Sequence, residues 1–138
     1  MKKIDPSTKP LWGKMNFQQM VEHMSDSIRI ANGKDPQKLH TPIDVLDKYK
    51  AFLMTEKPFK ENTRNALMAD EPPAIRNTSI DKAFNELEME INDLFKVFGS
   101  DMDKTVTNPF YGDLTLNEWV QLLHKHAVHH LKQFGTIV

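Results

Sequence analysis

The feature that most restricts how this chain can fold is the spacing of its large apolar residues between positions 80 and 98. Ile80, Phe84, Leu87, Ile91, Leu94 and Phe98 recur at alternating intervals of four and three, which is the seam of a helix packed in a bundle. A half-buried strand would need apolar residues at every second position, and no alternating run of useful length occurs in the chain. Helix starts are marked elsewhere as well. Asn16 stands three residues before Gln19, Thr78 three before Asp81 and Thr115 three before Glu118, the pattern of N-terminal capping boxes, while Thr41-Pro42 followed by Asp44 places proline at a first helical position. Gly33, Gly99 and Gly135 sit just past the expected helix ends, where a left-handed cap is needed. The pattern predicts four helices, at about 16–31, 42–54, 79–98 and 115–134. It shows no internal repeat.

With 138 residues the chain is long enough for one hydrophobic core, and residues 1–138 read as one helical domain. There is no apolar run long enough to span a bilayer and no apolar stretch after Met1-Lys2-Lys3, so a cytoplasmic location without membrane partners is expected. Lysines and arginines number 18 against 19 aspartates and glutamates, without a basic stripe, which argues against nucleic acid as a partner. Cysteine is absent. That removes disulfides, thiolate ligands and a cysteine nucleophile, so any thiol chemistry must use a thiol supplied from outside.

Chemistry concentrates at the end of the last predicted helix, where four of the six histidines, His124, His126, His129 and His130, fall in one short run. His126 and His130 are spaced i, i+4, roughly 40° apart on one helix face, and can share one ion. Taking His126 as the origin of a helical wheel, Trp119, Leu122, Leu123, His130, Gln133, Phe134 and Ile137 lie within about 80°, while His124, Lys125, Val128 and Lys132 fall on the far side. The pair therefore faces the core. Two neutral imidazoles in an apolar stripe need partners, which either a metal ion or ordinary hydrogen bonds can supply. His23 is the candidate third ligand. It sits at the edge of the stripe Phe17, Met20, Met24, Ile28 and Ala31 on the first predicted helix, and three histidines are a usual protein contribution to a catalytic zinc.

Other constellations are weaker. No histidine has a glutamate three residues before it, which disfavours a di-iron carboxylate bundle, and Ala127 follows His126 where a zincin would carry its glutamate. Glu88 lies near the edge of the apolar seam as an alternative base or ligand, against the reading of a solvated carboxylate beside Glu86 and Glu90. Residues 58–77 form a long connection that is uncommon unless it serves a site. Arg64 and Arg76 in it could meet an anionic substrate group, and Tyr111 could donate to a bound substrate; a surface role explains each of them as well.

The segments Pro10-Leu11-Trp12-Gly13-Lys14-Met15 through Met24, Phe110-Tyr111-Gly112-Asp113-Leu114-Thr115-Leu116-Asn117-Glu118-Trp119, and His126 to Phe134 resemble the DinB/YfiT-like proteins. The resemblance is nearest to a branch with Trp-Gly-Lys-Met and His-His-Leu-x-Gln-Phe signatures and spans nearly the whole chain. It implies an all-α, up-and-down four-helix bundle in which His23, His126 and His130 bind a divalent metal, zinc or nickel. It also implies a metal-dependent enzyme acting on a small-molecule substrate, foremost a thiol S-transferase in which the metal activates a low-molecular-weight thiol. A hydrolase using metal-bound hydroxide and a non-catalytic metal-stabilised binding module are the alternatives. Gln133, one turn beyond His130, and Gln19, one turn before His23, are expected to orient ligands or bound water. One departure is visible. Relatives carry a full helix before the Trp-Gly-Lys-Met segment, whereas Pro6 and Pro10 interrupt the few residues available here, so that helix is short or missing. A bundle lacking one wall exposes an apolar groove, and a homodimer is expected to cover it unless the segment from Pro42 to Thr55 repacks into the gap.

Overall fold

The computed structural model describes residues 1–63, 65 and 67–137. Four helices follow one another, α1 (Phe17–Ala31), α2 (Ile43–Leu53), α3 (Ile80–Phe98) and α4 (Leu116–Gln133), and a short hairpin of β1 (Val106–Asn108) and β2 (Gly112–Leu114) precedes the last. The fold is all-α apart from this hairpin. Helix α1 packs most extensively on α3 and also meets α4 and β1, while α2 lies against α4.

Local sequence explains the boundaries. Asn16 and Gln19 form a reciprocal capping box at the start of α1, and Thr115 with Glu118 forms another at the start of α4. At α3 the cap is Ser79, whose side chain accepts from the Lys82 amide. Thr78, the cap expected from sequence, is displaced by one residue. Pro42 likewise caps α2 without a side-chain bond, so Ile43 is the first helical residue and the Thr41 hydroxyl donates instead to the Phe110 carbonyl. Gly33, Gly99 and Gly135 all take positive φ beyond helix ends, as the termination pattern requires.

Phe17, Met20, Val21, Met24 and Ile28 from α1, Phe84, Leu87, Leu94 and Phe98 from α3, and Trp119, Leu122 and Phe134 from the last helix and its end form one core. The α3 seam holds except at Ile91, which is 38% exposed, while the neighbouring Glu90 is fully buried. Burial of this carboxylate is compensated by three partners on one side of α1. Lys34 Nζ reaches it at 2.5 Å, Asn32 Nδ2 donates to its Oε2 at 3.5 Å, and the Arg29 guanidinium stands 3.9 Å away. Glu90 is thus held by side chains more than 50 residues away. Glu88 is exposed and paired with Lys2, far from any role as base or ligand.

The hairpin is the element that the sequence pattern missed. Its strands pair antiparallel with Val106 opposite Leu114 and Asn108 opposite Gly112. Three residues per strand are too few to display alternation. The Asn108 side chain accepts from the amides of Phe110 and Tyr111, and Gly112 takes φ +80°, which closes the turn. Trp119 Nε1 donates to the Val106 carbonyl at 3.0 Å and ties the hairpin to α4.

Residues before Asn16 form turns and no helix among the described residues. Met1 and Ile4 pack on the core, Leu11 N donates to the Gln133 carbonyl, and the leading segment thereby runs beside the end of α4. Helix α2 buries Leu53 completely. No helix among the described residues is long and apolar enough to cross a membrane.

Candidate metal centre

Two helices from opposite ends of the chain bring the three expected histidines together. His23 projects from the middle of α1, and His126 and His130 from successive turns of α4. His126 Nε2 lies 2.9 Å from His23 Nε2 and 2.8 Å from His130 Nε2, and one ligand atom from each residue falls within 4.8 Å of the others. The group can hold a metal ion.

The protonation pattern can be worked out from the neighbours. Gln133 Nε2 donates to the Trp12 carbonyl at 3.0 Å, which can only accept, so Gln133 Oε1 is the atom that faces His130 Nδ1 at 2.7 Å. His130 must therefore carry its proton on Nδ1 and, when neutral, turn an unprotonated Nε2 toward the centre. His126 Nε2 then faces two nitrogens with either one proton or one lone pair. If it donates, its single proton must serve two neighbours; if it accepts, its lone pair opposes that of His130. One of the two short contacts is always unsatisfied in the bare group, and a shared cation removes the conflict. The donor set, three nitrogens and no carboxylate among the described residues, suits a borderline divalent ion such as zinc or nickel.

Electrostatics favour the ligating form. Burial, followed by the charge of His129, brings the His23 pKa down to about 4. Burial, then His23, lowers His130 to about 3 against an opposing push from Gln133. His126 is held well below its ordinary value by burial and then by His23, His130 and His129. All three are neutral at pH 7, with lone pairs available.

Gln133 thus touches a triad histidine in the manner expected of an orienting residue. Its own position is fixed by the backbone at Trp12-Gly13, where Gly13 has φ +77° and an added Cβ would lie 2.9 Å from Gln133 Nε2. Only glycine fits there without moving the glutamine. Gln133→Leu removes the acceptor for His130 Nδ1–H, and metal affinity is expected to fall by about 10–100-fold. Chelator-competition titration checks this, with Gln133→Glu restoring most of the loss.

Gln19 lies elsewhere. Its side chain completes the α1 capping box and donates to the Pro73 carbonyl, and these partners, not His23, take up its amide. Arg76 is held by Glu86 and by Asp26 at 3.0 Å, an arrangement that raises its pKa chiefly through the Glu86 hydrogen bond. Its backbone amide donates to the buried Glu22 at 2.7 Å, which pins the end of the long connection to α1. Arg64 lies outside the described residues.

A cavity of about 1020 Å³ opens beside the triad. Its wall includes His23, His126, His130, Gln133 and Tyr111, together with Trp12, Phe52 and Phe59. The connection beyond Pro58 supplies Phe59, Lys60, Asn62, Thr63, Asn65, Met68 and Ala69 to the same wall. Burial, then Tyr49, pushes the Tyr111 pKa up to about 12. Tyr111 is a donor at neutral pH.

His129 and Lys125 went unread in the sequence. His129 lines the cavity, edge-on to Trp12 at 5.7 Å and to His130 at 5.2 Å between ring centres. It lies roughly 60° from His126 on the helical wheel, a position that places it on the same side. Lys125, expected on the far face, is only 6% exposed. Its stem covers α2 and its ammonium stands 4.7 Å over the Phe52 ring while donating to the Lys57 carbonyl. A long aliphatic stem with one polar tip allows this, and the wheel angle of a lysine does not reveal it.

No curated protein and no solved structure matches the chain. A family model described as the DinB superfamily matches residues 6–134, and with that match over nearly its full length the chain belongs to the DinB superfamily.

Proposed function

We propose that this protein is a divalent-metal-dependent enzyme of thiol S-transferase type, joining a small-molecule thiol to an electrophilic organic substrate in the cavity beside His23, His126 and His130. The observation that carries the reading is the position of three converging Nε2 atoms on the wall of a large, mainly apolar cavity. Only three protein donors converge among the described residues, which supports an exchangeable position over a closed structural site. A bound zinc or nickel ion would supply Lewis acidity there and lower the pKa of a thiol reaching its open side.

The chain's residues do the rest. Gln133 fixes the His130 tautomer, and burial keeps all three imidazoles neutral. Trp12, Phe52 and Phe59 limit water around the nucleophile, which raises the reactivity of a sulfur anion. In the reaction a sulfur–carbon bond forms as the bond from carbon to the leaving group breaks. The leaving group departs with the electron pair, and the thiol proton is released to solvent. A cavity of about 1020 Å³ has room for both reactants, and the thiol must come from outside because the chain has no cysteine. We propose in the same way that the protein acts as a homodimer, the second copy covering the outer side of α3, where Ile91 and Phe95 are 38% and 51% exposed.

The test is tag-free protein loaded with zinc or nickel, supplied with a small thiol and chlorodinitrobenzene and followed by absorbance. Turnover above the uncatalysed rate that disappears on chelation and returns with metal is expected. Turnover indifferent to chelation overturns the proposal, and hydrolysis of activated esters without any thiol moves it to a hydrolase.

A further inference from the structure

We propose that the cavity takes a small organic anion with a flat apolar body, an aromatic or conjugated carboxylate, its ring against the aromatic wall and its carboxylate toward Lys48 and Lys60. For its chemical consequence this rests on the S-transferase reading, because the anion would be the electrophilic substrate. The binding itself requires no turnover.

Charge is the first argument. The chain as a whole is at −1, yet among the described residues the charged ones lining the cavity apart from histidine are Lys14, Lys48, Lys60 and a single carboxylate, Asp70. Lys14 is held by Glu71 at 2.5 Å, which offsets its charge. Lys48 comes from α2 and Lys60 from the connection after it, and neither forms an ion pair among the described residues. Two lysines without an ion pair among the described residues, at the mouth of an apolar pocket, attract an anion and orient it with its charged end outward.

Shape is the second. Aromatic rings reach the cavity from four parts of the chain: Trp12 before α1, Tyr49 and Phe52 on α2, Phe59 in the long connection and Tyr111 in the hairpin turn. Phe52 and Phe59 stand 6.0 Å apart, and Tyr49 and Tyr111 6.3 Å, between ring centres. Such a wall suits a flat π-system more than a flexible alkyl chain. The Tyr111 hydroxyl makes no hydrogen bond among the described residues, and burial keeps it protonated, so it is a further donor for an anionic oxygen. A neutral ligand would leave the charge of both lysines unanswered.

Calorimetric titration of metal-free protein with 2-naphthoate and with neutral 2-naphthamide tests the proposal. The carboxylate should bind about fivefold more tightly, the preference expected of two exposed lysines, and the difference should shrink with added salt. The double variant Lys48→Gln/Lys60→Gln should abolish the preference while naphthamide affinity stays unchanged, which also shows that the pocket remains folded. Equal binding of the two probes overturns the proposal, as does a preference that survives in the double variant. A preference that emerges only after zinc is added also overturns it, because it assigns the anion to the metal. Since the first arm contains no metal and no thiol, loss of the S-transferase reading leaves this result standing, and loss of this one leaves metal-dependent turnover untouched.

Discussion

His126→Ala protein binds no stoichiometric zinc or nickel at micromolar concentration, and its affinity for either ion falls at least about 100-fold. The magnitude follows from dividing the free energy of a four-ligand zinc site, about 10–16 kcal/mol, among its ligands, which gives roughly 3 kcal/mol for each. His126 should lie at the upper end because it is the middle member, with its Nε2 within 3 Å of both other Nε2 atoms. No comparable loss is expected for stability without metal. In the bare chain His126 is a desolvated imidazole with one frustrated contact, so its removal should leave the metal-free melting temperature about unchanged despite the small cavity created. Added zinc should then raise the melting temperature of the parent chain and not that of the variant, because only binding to the folded state stabilises it. Metal analysis by mass spectrometry and thermal melts with and without zinc check both halves. A variant that retains one metal per chain removes the triad as the binding group.

The histidine pair of α4 was legible from helix periodicity alone, whereas His23 came from its place at the edge of the α1 stripe and from the family resemblance. His126 and His130 are four residues apart, their angular separation follows from 3.6 residues per turn, and Trp119, Leu122 and Phe134 identify the buried side. The four helices were legible for the same reason, with caps at Asn16 and Thr115 that need only a residue and its neighbour three positions on. Information beyond that range was not available locally. The burial of Glu90 depends on Lys34, Arg29 and Asn32, which belong to α1 and its end. Arg76 looked free for a ligand because Asp26 and Glu86, which hold it, lie far along the chain or on another helix. Gln19 and Gln133 looked equivalent, each one turn from a histidine. One is engaged by its own helix start, and the other is held to its histidine by the carbonyl of Trp12. Spacing shows which residues share a face, and tertiary partners decide which of them remain available.

Acid provides the second large effect. Metal-free protein should lose stability steeply as the pH falls from about 6.5 toward 4, before most carboxylates begin to protonate. In the unfolded chain the three histidines titrate near 6.5, whereas in the folded chain burial holds His23 to about 4, His130 to about 3 and His126 well below its ordinary value. Folded pKa values below the unfolded ones mean that the unfolded state binds more protons throughout this window. The stabilisation is therefore fully present above pH 6.5 and is lost as the pH falls. Each histidine contributes a slope of up to about 1.4 kcal/mol per pH unit, so three acting over two units approach the whole stability of an ordinary domain, about 5–15 kcal/mol. Glu86 also favours unfolding in acid, since its bonds to Arg76 and Asn77 outweigh the effect of its burial and lower its pKa, but its window begins below that of the histidines. Denaturant unfolding of metal-free protein between pH 7.5 and 4.5 should show the decline beginning near 6.5, with a shallower slope in His126→Ala. Zinc-loaded protein should hold its stability to lower pH, because protons must first displace the ion. A stability that stays level from pH 7 to 5 in the metal-free chain would mean that these imidazoles are as solvated in the folded state as in the unfolded one, and the buried, neutral triad on which metal binding depends would have to be given up.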